Sequence, residues 1–468
     1  MARMKRTEAN ILKEDINDSE AFKMPKNFKT KLGKIKYVIY LFLVVIITVV
    51  TTVLMFKKNH TTLAQVTNIL GKANFGWVIF AIIIVGIMAC LRAMIYFCFA
   101  RLFTRDYHYR QAIAVDQVGT FYNSFTPAGT ASSVSTSITF KNQGLNISSA
   151  VSISAMYLLI HNITLIFYGV LALIVKRNYL FEVGGLTITL GSAQIHLSMT
   201  VLTIIGFALN LCIIGVILLM SYWKGFHNFI MGPCVNLLTK LKLVKKPEKV
   251  RENLRTEVEN FKIEMRRIFT NIPFAILIFS LFFWLLTFKY SLPFFVGEAL
   301  GNESQVGGFW DSAFIGNYHH LITHVIPIPG SAGISELFFN TLFVTSNNAT
   351  ATNSFFFKAV YDSAGIIDQN ATNIASQELT TAATILWRIV SYLLPLIISA
   401  IVTGLIKFNP ADEEIGGELP TRQTFIALQQ KTMDVRYEEL ETMINTSVLT
   451  KKQIKEKLKE SRRHKNRK

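Results

Sequence analysis

Long apolar runs alternate with polar, mostly basic segments along this chain. The run at 37–56 contains no charged residue, and the run at 76–100 contains one, Arg92. Further apolar runs occupy 147–175, 197–222, 272–296 and 382–406. Because about 20 mainly apolar residues are enough to cross the hydrocarbon core of a bilayer, the pattern predicts a membrane-spanning helix at each of these runs.

Two further segments have a helical pattern that is interrupted by proline and glycine. Residues 111–145 are amphipathic and are broken at Pro127 and Gly129, whereas residues 314–345 are apolar and are broken within 327–333. Each break predicts a re-entrant hairpin or a pair of short spans. We therefore expect an all-α polytopic membrane protein with about six full spans plus two re-entrant or broken-helix elements. Such a fold has six to eight transmembrane helices and is compatible with an inverted repeat.

Composition supports this fold class. Hydrophobic residues make up 51% of the chain and charged residues 17%, against about 25% charged in soluble proteins. A simple soluble enzyme, a disordered chain and a disulfide scaffold are thereby excluded. The four cysteines lack metal-ligand spacing and are interpreted as packing residues. His319, His320 and His324 are interpreted as interfacial polar residues, because no carboxylate or cysteine lies at a supporting spacing. No metal and no cofactor is predicted.

The net charge of +18 predicts how the chain is oriented. Basic residues are concentrated in an N-terminal segment at 1–36, a loop at 223–271 and a helical tail at 409–468. By the positive-inside rule these segments are cytoplasmic, and 37–408 forms the transmembrane domain of a plasma-membrane, bacterial protein. We expect the basic segments to contact anionic lipid headgroups rather than nucleic acid. The Asn- and Thr-rich stretch 346–381 is predicted to be an external loop.

Small hydroxyl residues follow each break, and this pattern is wrong for a helix that faces lipid. Freed backbone groups at membrane depth require protein or a water-filled cavity around them, and helix N-termini favour anions. A proline kink or a small-residue packing face is the competing structural explanation. The candidate substrate-binding residues at the breaks are Thr126, Pro127, Gly129, Thr130, Ser132, Ser133, Pro329, Gly330, Ser331, Gly333, Ser335 and Glu336.

Two arginines inside predicted spans complete the candidate site. Arg92 and Arg388 should face the interior of the bundle, because a charge in lipid costs about 2.5–3.5 kcal/mol on insertion scales. Arg388 has the alternative of extending to the membrane surface. Glu336 either caps the helix after the second break or pairs with a cation such as Arg388. The pattern contains no nucleophile and base that would act as a catalytic pair, so we expect no enzyme activity.

Three motifs resemble the transmembrane region of lysylphosphatidylglycerol synthases, a flippase-like integral membrane family. They are FYNSFTPAGTASSVSTSITF, VIPIPGSAGISELFF and ILWRIVSYLLPLIISAIVTG. The resemblance covers about residues 37–408 and is most specific at Pro329, Gly330, Gly333 and Glu336. Family members usually have more Gly, Glu and Arg in the first motif than this chain has. The resemblance implies a polytopic domain with re-entrant elements, which moves phospholipids or lipid-linked molecules between leaflets.

Bifunctional members of that family add a large cytoplasmic aminoacyl-transferase domain after the last span. The 409–468 tail is too short for such a domain, so we expect no transferase activity from it. The leading prediction is a lipid translocator whose partners are membrane lipids. The alternatives are a carrier of small solutes or polyprenyl phosphates, and a membrane scaffold that recruits partners through its basic loop and tail. Assembly into a homo-oligomer is left open.

Overall fold

The computed structural model of the chain describes most residues between 61 and 405. The described ranges are 61–104, 107–126, 130–145, 147–182, 185–190, 193–223, 271–305, 307–323, 330–343 and 354–405, together with residues 233 and 328. The N-terminal segment 1–36, the predicted first span at 37–56 and the tail at 409–468 lie outside the described residues. The basic loop 223–271 also lies outside them, apart from residues 223, 233 and 271.

Five helical segments in the described part of the chain are long and apolar enough to cross a membrane. They are Phe75–Ala100, Ser149–Val175, Thr200–Leu219, Ile272–Leu300 and Gln369–Leu405. Each overlaps an apolar run that the sequence predicts to span the bilayer, and the last begins 13 residues before its predicted run at 382–406. The protein is therefore a polytopic, mainly helical membrane protein, as predicted.

The helices are numbered here in chain order. They are α1 (Leu63–Gly71), α2 (Phe75–Ala100), α3 (Tyr109–Phe125), α4 (Thr130–Asn142), α5 (Ile147–Val175), α6 (Arg177–Glu182), α7 (Met199–Tyr222), α8 (Ile272–Tyr290), α9 (Leu292–Leu300), α10 (Phe309–Thr323), α11 (Ile334–Phe343), α12 (Gln369–Arg388) and α13 (Leu394–Leu405). A π-helical turn at Ile389–Leu393 joins α12 to α13. An antiparallel hairpin that the sequence did not predict, Gly185–Leu190 with Ala193–Ser198, precedes α7.

Each predicted break separates two helices that fold back on one another. Helix α3 contacts α4, and α10 contacts α11. The first pair is closely packed: a Cβ atom added at Gly119 would lie 2.6 Å from a methyl carbon of Thr136. The two interrupted segments are therefore helical hairpins, not single helices with a kink.

The prediction of an external loop at 346–381 is wrong from residue 369 onward. Helix α12 begins at Gln369, where the Asp368 carboxylate accepts hydrogen bonds from two backbone N–H groups of the first turn. Upstream of it, Phe355 and Phe356 are completely buried. Their rings lie 5.0 Å apart in an edge-on arrangement. This stretch therefore contributes to the protein core despite its polar composition.

The outward faces of the long helices are apolar. Ile79, Ile204, Ile276 and Ile401 are each more than half exposed. Apolar side chains contact hydrocarbon without an energetic penalty, and the backbone N–H and C=O groups of a helix are hydrogen-bonded within that helix. This surface matches lipid, so polar side chains that point inward must be satisfied by one another or by a bound molecule.

We predict that Gly316→Ala destabilises the bundle where α10 crosses α8. A Cβ atom at Gly316 would lie 2.6 Å from the carbonyl oxygen of Tyr290, which belongs to the backbone and cannot rotate away. Overpacking of this kind costs about 1–3 kcal/mol. Thermal unfolding of the purified protein in detergent should show a clear loss of stability, measured as a lower unfolding temperature. Gly215→Ala is the matched control, because nothing lies within 4 Å of its Cβ position; equal stability of both variants would contradict the prediction.

Candidate functional site

The second break is stabilised by a buried ion pair. In the first turn of α11, one carboxylate oxygen of Glu336 accepts a hydrogen bond from the backbone N–H of Gly333 at 2.6 Å. The other oxygen accepts from Nε of Arg388 at 2.5 Å. The exposed fractions of Glu336 and Arg388 are only 2% and 8%. Glu336 therefore both caps the helix and pairs with the cation, and Arg388 does not extend to the membrane surface.

Arg388 also bonds the backbone of the break. Its terminal guanidinium nitrogen donates to the carbonyl oxygen of Gly330 at 3.0 Å, and its guanidinium carbon lies 4.6 Å from the ring centroid of Tyr392. Gly330 has a φ of 59° and Ser331 a φ of 50°. A Cβ atom at Gly330 would collide with the Tyr392 hydroxyl. Only glycine fits here, both by conformation and by space.

The first break is held by hydroxyl groups instead of charges. The Thr126 hydroxyl donates to the Tyr122 carbonyl at 3.0 Å and accepts from the backbone N–H of Ala131 at 3.2 Å. Further along α4, the hydroxyl of Thr136 lies 3.0 Å from that of Ser154 in α5. The Ser- and Thr-rich sequence of this segment therefore serves partly as helix-packing surface, which was the competing explanation for the motif.

Tyr392 joins the two breaks directly. It lies in the π-helical turn after Arg388, and its hydroxyl donates to the carbonyl oxygen of Ser124, near the end of α3, at 3.0 Å. Tyr392 also contacts the Arg388 guanidinium. π-helical turns within α-helices occur frequently at functional sites. Here the turn aims one side chain at both interrupted helix pairs.

Arg92 forms a second buried ion pair. Its Nε and a terminal nitrogen donate to the two carboxylate oxygens of Asp116 at 2.7 and 3.3 Å. The amide of Gln117 donates to the same carboxylate at 3.0 Å. Asp116 is 2% exposed. Arg92 thus faces the bundle interior as predicted, and its charge is neutralised by a residue of α3.

Both breaks and both ion pairs surround one internal cavity of about 420 Å³. The predicted site residues that line it are Arg92, Thr126, Ser132, Ser133, Gly330, Ser331, Ser335 and Arg388. Glu336 and Gly333 do not line the cavity, although they hold Arg388 and the break in place. Thr130 begins α4, and its side chain lies outside the described residues. Pro127, Gly129 and Pro329 also lie outside them.

The cavity residues that the sequence interpretation missed include Asp116, Lys289 and Tyr392. Two of them carried a signal that was available. Asp116 is the only acidic residue of the interrupted segment 111–145, and Lys289 is a lysine inside the predicted span 272–296. Charged residues at membrane depth mark functional sites as a rule. Tyr392 carried no comparable signal, because its role depends on a contact between distant segments.

The histidines also differ from their predicted position. His319 is 5% exposed, and its Nε2 lies 2.8 Å from the carbonyl oxygen of Ser335. Its ring meets that of Trp387 edge-on at 5.5 Å. His319 and His320 both line the cavity, so these two are interior residues, not interfacial ones. His324 lies outside the described residues.

The fold and the cavity together define a polytopic helical membrane protein with a charged internal chamber. Residues 38–360 match the family described as the lysylphosphatidylglycerol synthase TM region. The chain belongs to this family, which confirms the resemblance seen in its motifs, and membership indicates a lipid-related function in the membrane. No curated protein and no solved structure matches the chain.

We predict that Glu336→Gln and Arg388→Met each destabilise the protein strongly, by about 3–5 kcal/mol, because each leaves one buried charge unpaired. The double variant leaves neither charge unpaired and should be more stable than either single variant. Thermal unfolding in detergent measures all three. Glu303→Gln is the control, since Glu303 and Lys358 form an ion pair that is half exposed at 3.6 Å, and its loss should have little effect. Additive losses in the double variant would refute a direct coupling.

Proposed function

We propose that this protein translocates lipids between the leaflets of the membrane. The polar headgroup crosses through the internal cavity while the acyl chains remain in the bilayer. The observation that carries the proposal is a cavity of about 420 Å³ that both interrupted helix pairs line, with charged side chains at membrane depth. Non-helical backbone around a midplane site is typical of transporters. The volume falls within the range of about 300–1,000 Å³ of small-ligand pockets.

The small residues of the two breaks provide the path in this proposal. Ser132 and Ser133 line the cytoplasmic mouth, where their hydroxyls exchange hydrogen bonds with the headgroup. Gly330, Ser331 and Ser335 line the outer mouth. The arginines do not change partners during this passage, because removing either from its carboxylate would leave a buried charge unpaired. They fix the walls of the path, and the headgroup moves between them.

An apolar groove on α2 favours a lipid over a water-soluble solute. Arg92 and Tyr96 of this helix line the polar cavity, whereas other faces of the helix line an open groove of about 740 Å³. The groove residues are Ile83, Gly86, Ile87, Cys90, Leu91, Met94, Phe97 and Tyr109. A molecule with a polar head and a long apolar chain matches both surfaces of α2. A small polar solute would contact only the polar cavity and not the apolar groove.

The orientation and setting of the protein are part of the proposal. The basic excess in 1–36, 223–271 and 409–468 supports cytoplasmic termini in a plasma membrane. These segments would contact anionic headgroups, without a role for nucleic acid. Translocation requires no covalent step, so we propose a transporter and not an enzyme.

The test is the movement of fluorescent phospholipids in proteoliposomes, read by chemical bleaching of the outer leaflet. The wild-type protein should expose inner-leaflet lipid to the reagent. Ser133→Trp should slow this exposure about tenfold, because a large ring in the cavity adds a cost of about 1–3 kcal/mol to passage of the headgroup. Ile204→Trp is the control, since Ile204 lies on the outer surface of α7 at 63% exposure. Wild-type protein that moves none of several headgroups would refute the proposal.

A further inference from the structure

The charges around the cavity do not balance. Three cations, Arg92, Lys289 and Arg388, line it, and two buried carboxylates, Asp116 and Glu336, face the two arginines. Within the described part of the chain, Lys289 forms no ion pair with a carboxylate. Among the described residues, one positive charge of the cavity therefore has no counter-charge, and a charge of this kind is costly unless an anion accompanies it.

The contacts of Lys289 do not neutralise it. Its Nζ lies 3.4 Å from Nε2 of His320 and 5.5 Å from the ring centroid of Tyr290. A histidine ring and an aromatic face orient an ammonium group, but neither removes its charge. Lys289 is partly buried and lines the cavity, so its ammonium group is accessible to a bound molecule.

The neighbouring Tyr290 offers a second donor. Tyr290 lines the cavity and is 3% exposed; its hydroxyl faces the side chain of Asn317 but forms no hydrogen bond of full geometry among the described residues. A buried polar atom without a partner costs about 1–3 kcal/mol. A bound group that accepts hydrogen bonds would satisfy the phenol, and an anion would satisfy the lysine at the same time.

We infer that Lys289 and Tyr290 form an anion subsite that binds the phosphate group of a lipid in the cavity. The inference rests on the proposed function and names the substrate class, lipids with a phosphate in the headgroup. A phosphate oxygen accepts hydrogen bonds. It also carries the negative charge that the Lys289 ammonium group needs as a partner. The arginines contribute less, because their own carboxylates already occupy them.

The test measures ligand binding by the full chain in a maltoside detergent, which carries no phosphate. Binding of each probe is measured as an increase in the unfolding temperature of the protein. The probes are dioctanoyl phosphatidylglycerol, dioctanoylglycerol, farnesyl phosphate and inorganic phosphate. A phosphate-bearing lipid should stabilise the wild type, and dioctanoylglycerol should not. Stabilisation by only one of the two phosphate lipids identifies the glycerol or the isoprenoid source. Equal affinity for inorganic phosphate would overturn the assignment to a lipid.

The variants locate the subsite. Lys289→Met should weaken binding of the phosphate-bearing lipid about tenfold or more, Tyr290→Phe should weaken it less, and Lys289→Arg should keep most of it. Lys358→Met is the control, because this lysine is paired with Glu303 outside the cavity. The unliganded Lys289→Met protein should be at least as stable as the wild type, since it loses an unpaired buried charge. If it fails to fold, Tyr290→Phe and Lys289→Arg carry the test.

The outcomes for the subsite and for translocation are separate. Unchanged lipid binding in Lys289→Met would overturn the subsite, even where the wild type moves lipid in proteoliposomes. Lysine-dependent binding by a wild type that moves no lipid would instead overturn translocation and leave the phosphate subsite in place.

Discussion

Backbone groups that leave a helix at membrane depth find no water to bond. Between α10 and α11 this constraint falls on Glu336 and Arg388. The carboxylate accepts the Gly333 N–H, and the guanidinium donates to the Gly330 carbonyl. The pair thereby satisfies one N–H and one C=O group of the segment just before α11 with charge-assisted hydrogen bonds, which are about twice as strong as neutral ones. The rest of the cavity wall depends on this arrangement, because Arg388 also positions the ring of Tyr392.

In the two interrupted helix pairs, different kinds of side chain form hydrogen bonds with the backbone groups at the break. The first uses hydroxyl groups such as that of Thr126, and the second uses an ion pair. Tyr392 connects them by donating to the Ser124 carbonyl, so a displacement of α12 acts on both pairs at once. The glycine requirement at Gly330 follows from the same contact, because the space that a Cβ atom needs is already filled by the Tyr392 hydroxyl. Geometry at one break therefore restricts geometry at the other.

The spans and the positions of the breaks could be predicted from the sequence, because hydropathy and proline or glycine content act locally. Partners such as Ser124 for Tyr392 could not, since the two residues lie 268 positions apart in the chain. The error at 346–381 has a different cause. Thr380 and Thr381 are fully buried in α12, and their hydroxyls donate to the carbonyls four residues earlier at 2.7 and 2.8 Å. A threonine satisfied in this way behaves as an apolar residue, which a composition-based prediction counts as polar.

Whether a buried charge has a partner of opposite charge distinguishes the structural charges of the cavity from the functional one. The sequence drew attention to Arg92 and Arg388, yet both are matched by carboxylates that hold the fold together. A matched pair is nearly neutral to a ligand, because its field falls off as that of a dipole. The sequence interpretation overlooked Lys289. Among the described residues that line the cavity, it is the cation whose charge is not paired with a carboxylate and is available to a ligand. The described lining residues therefore place one unpaired positive charge at a defined point of the cavity, and this charge is the basis for the inferred anion subsite.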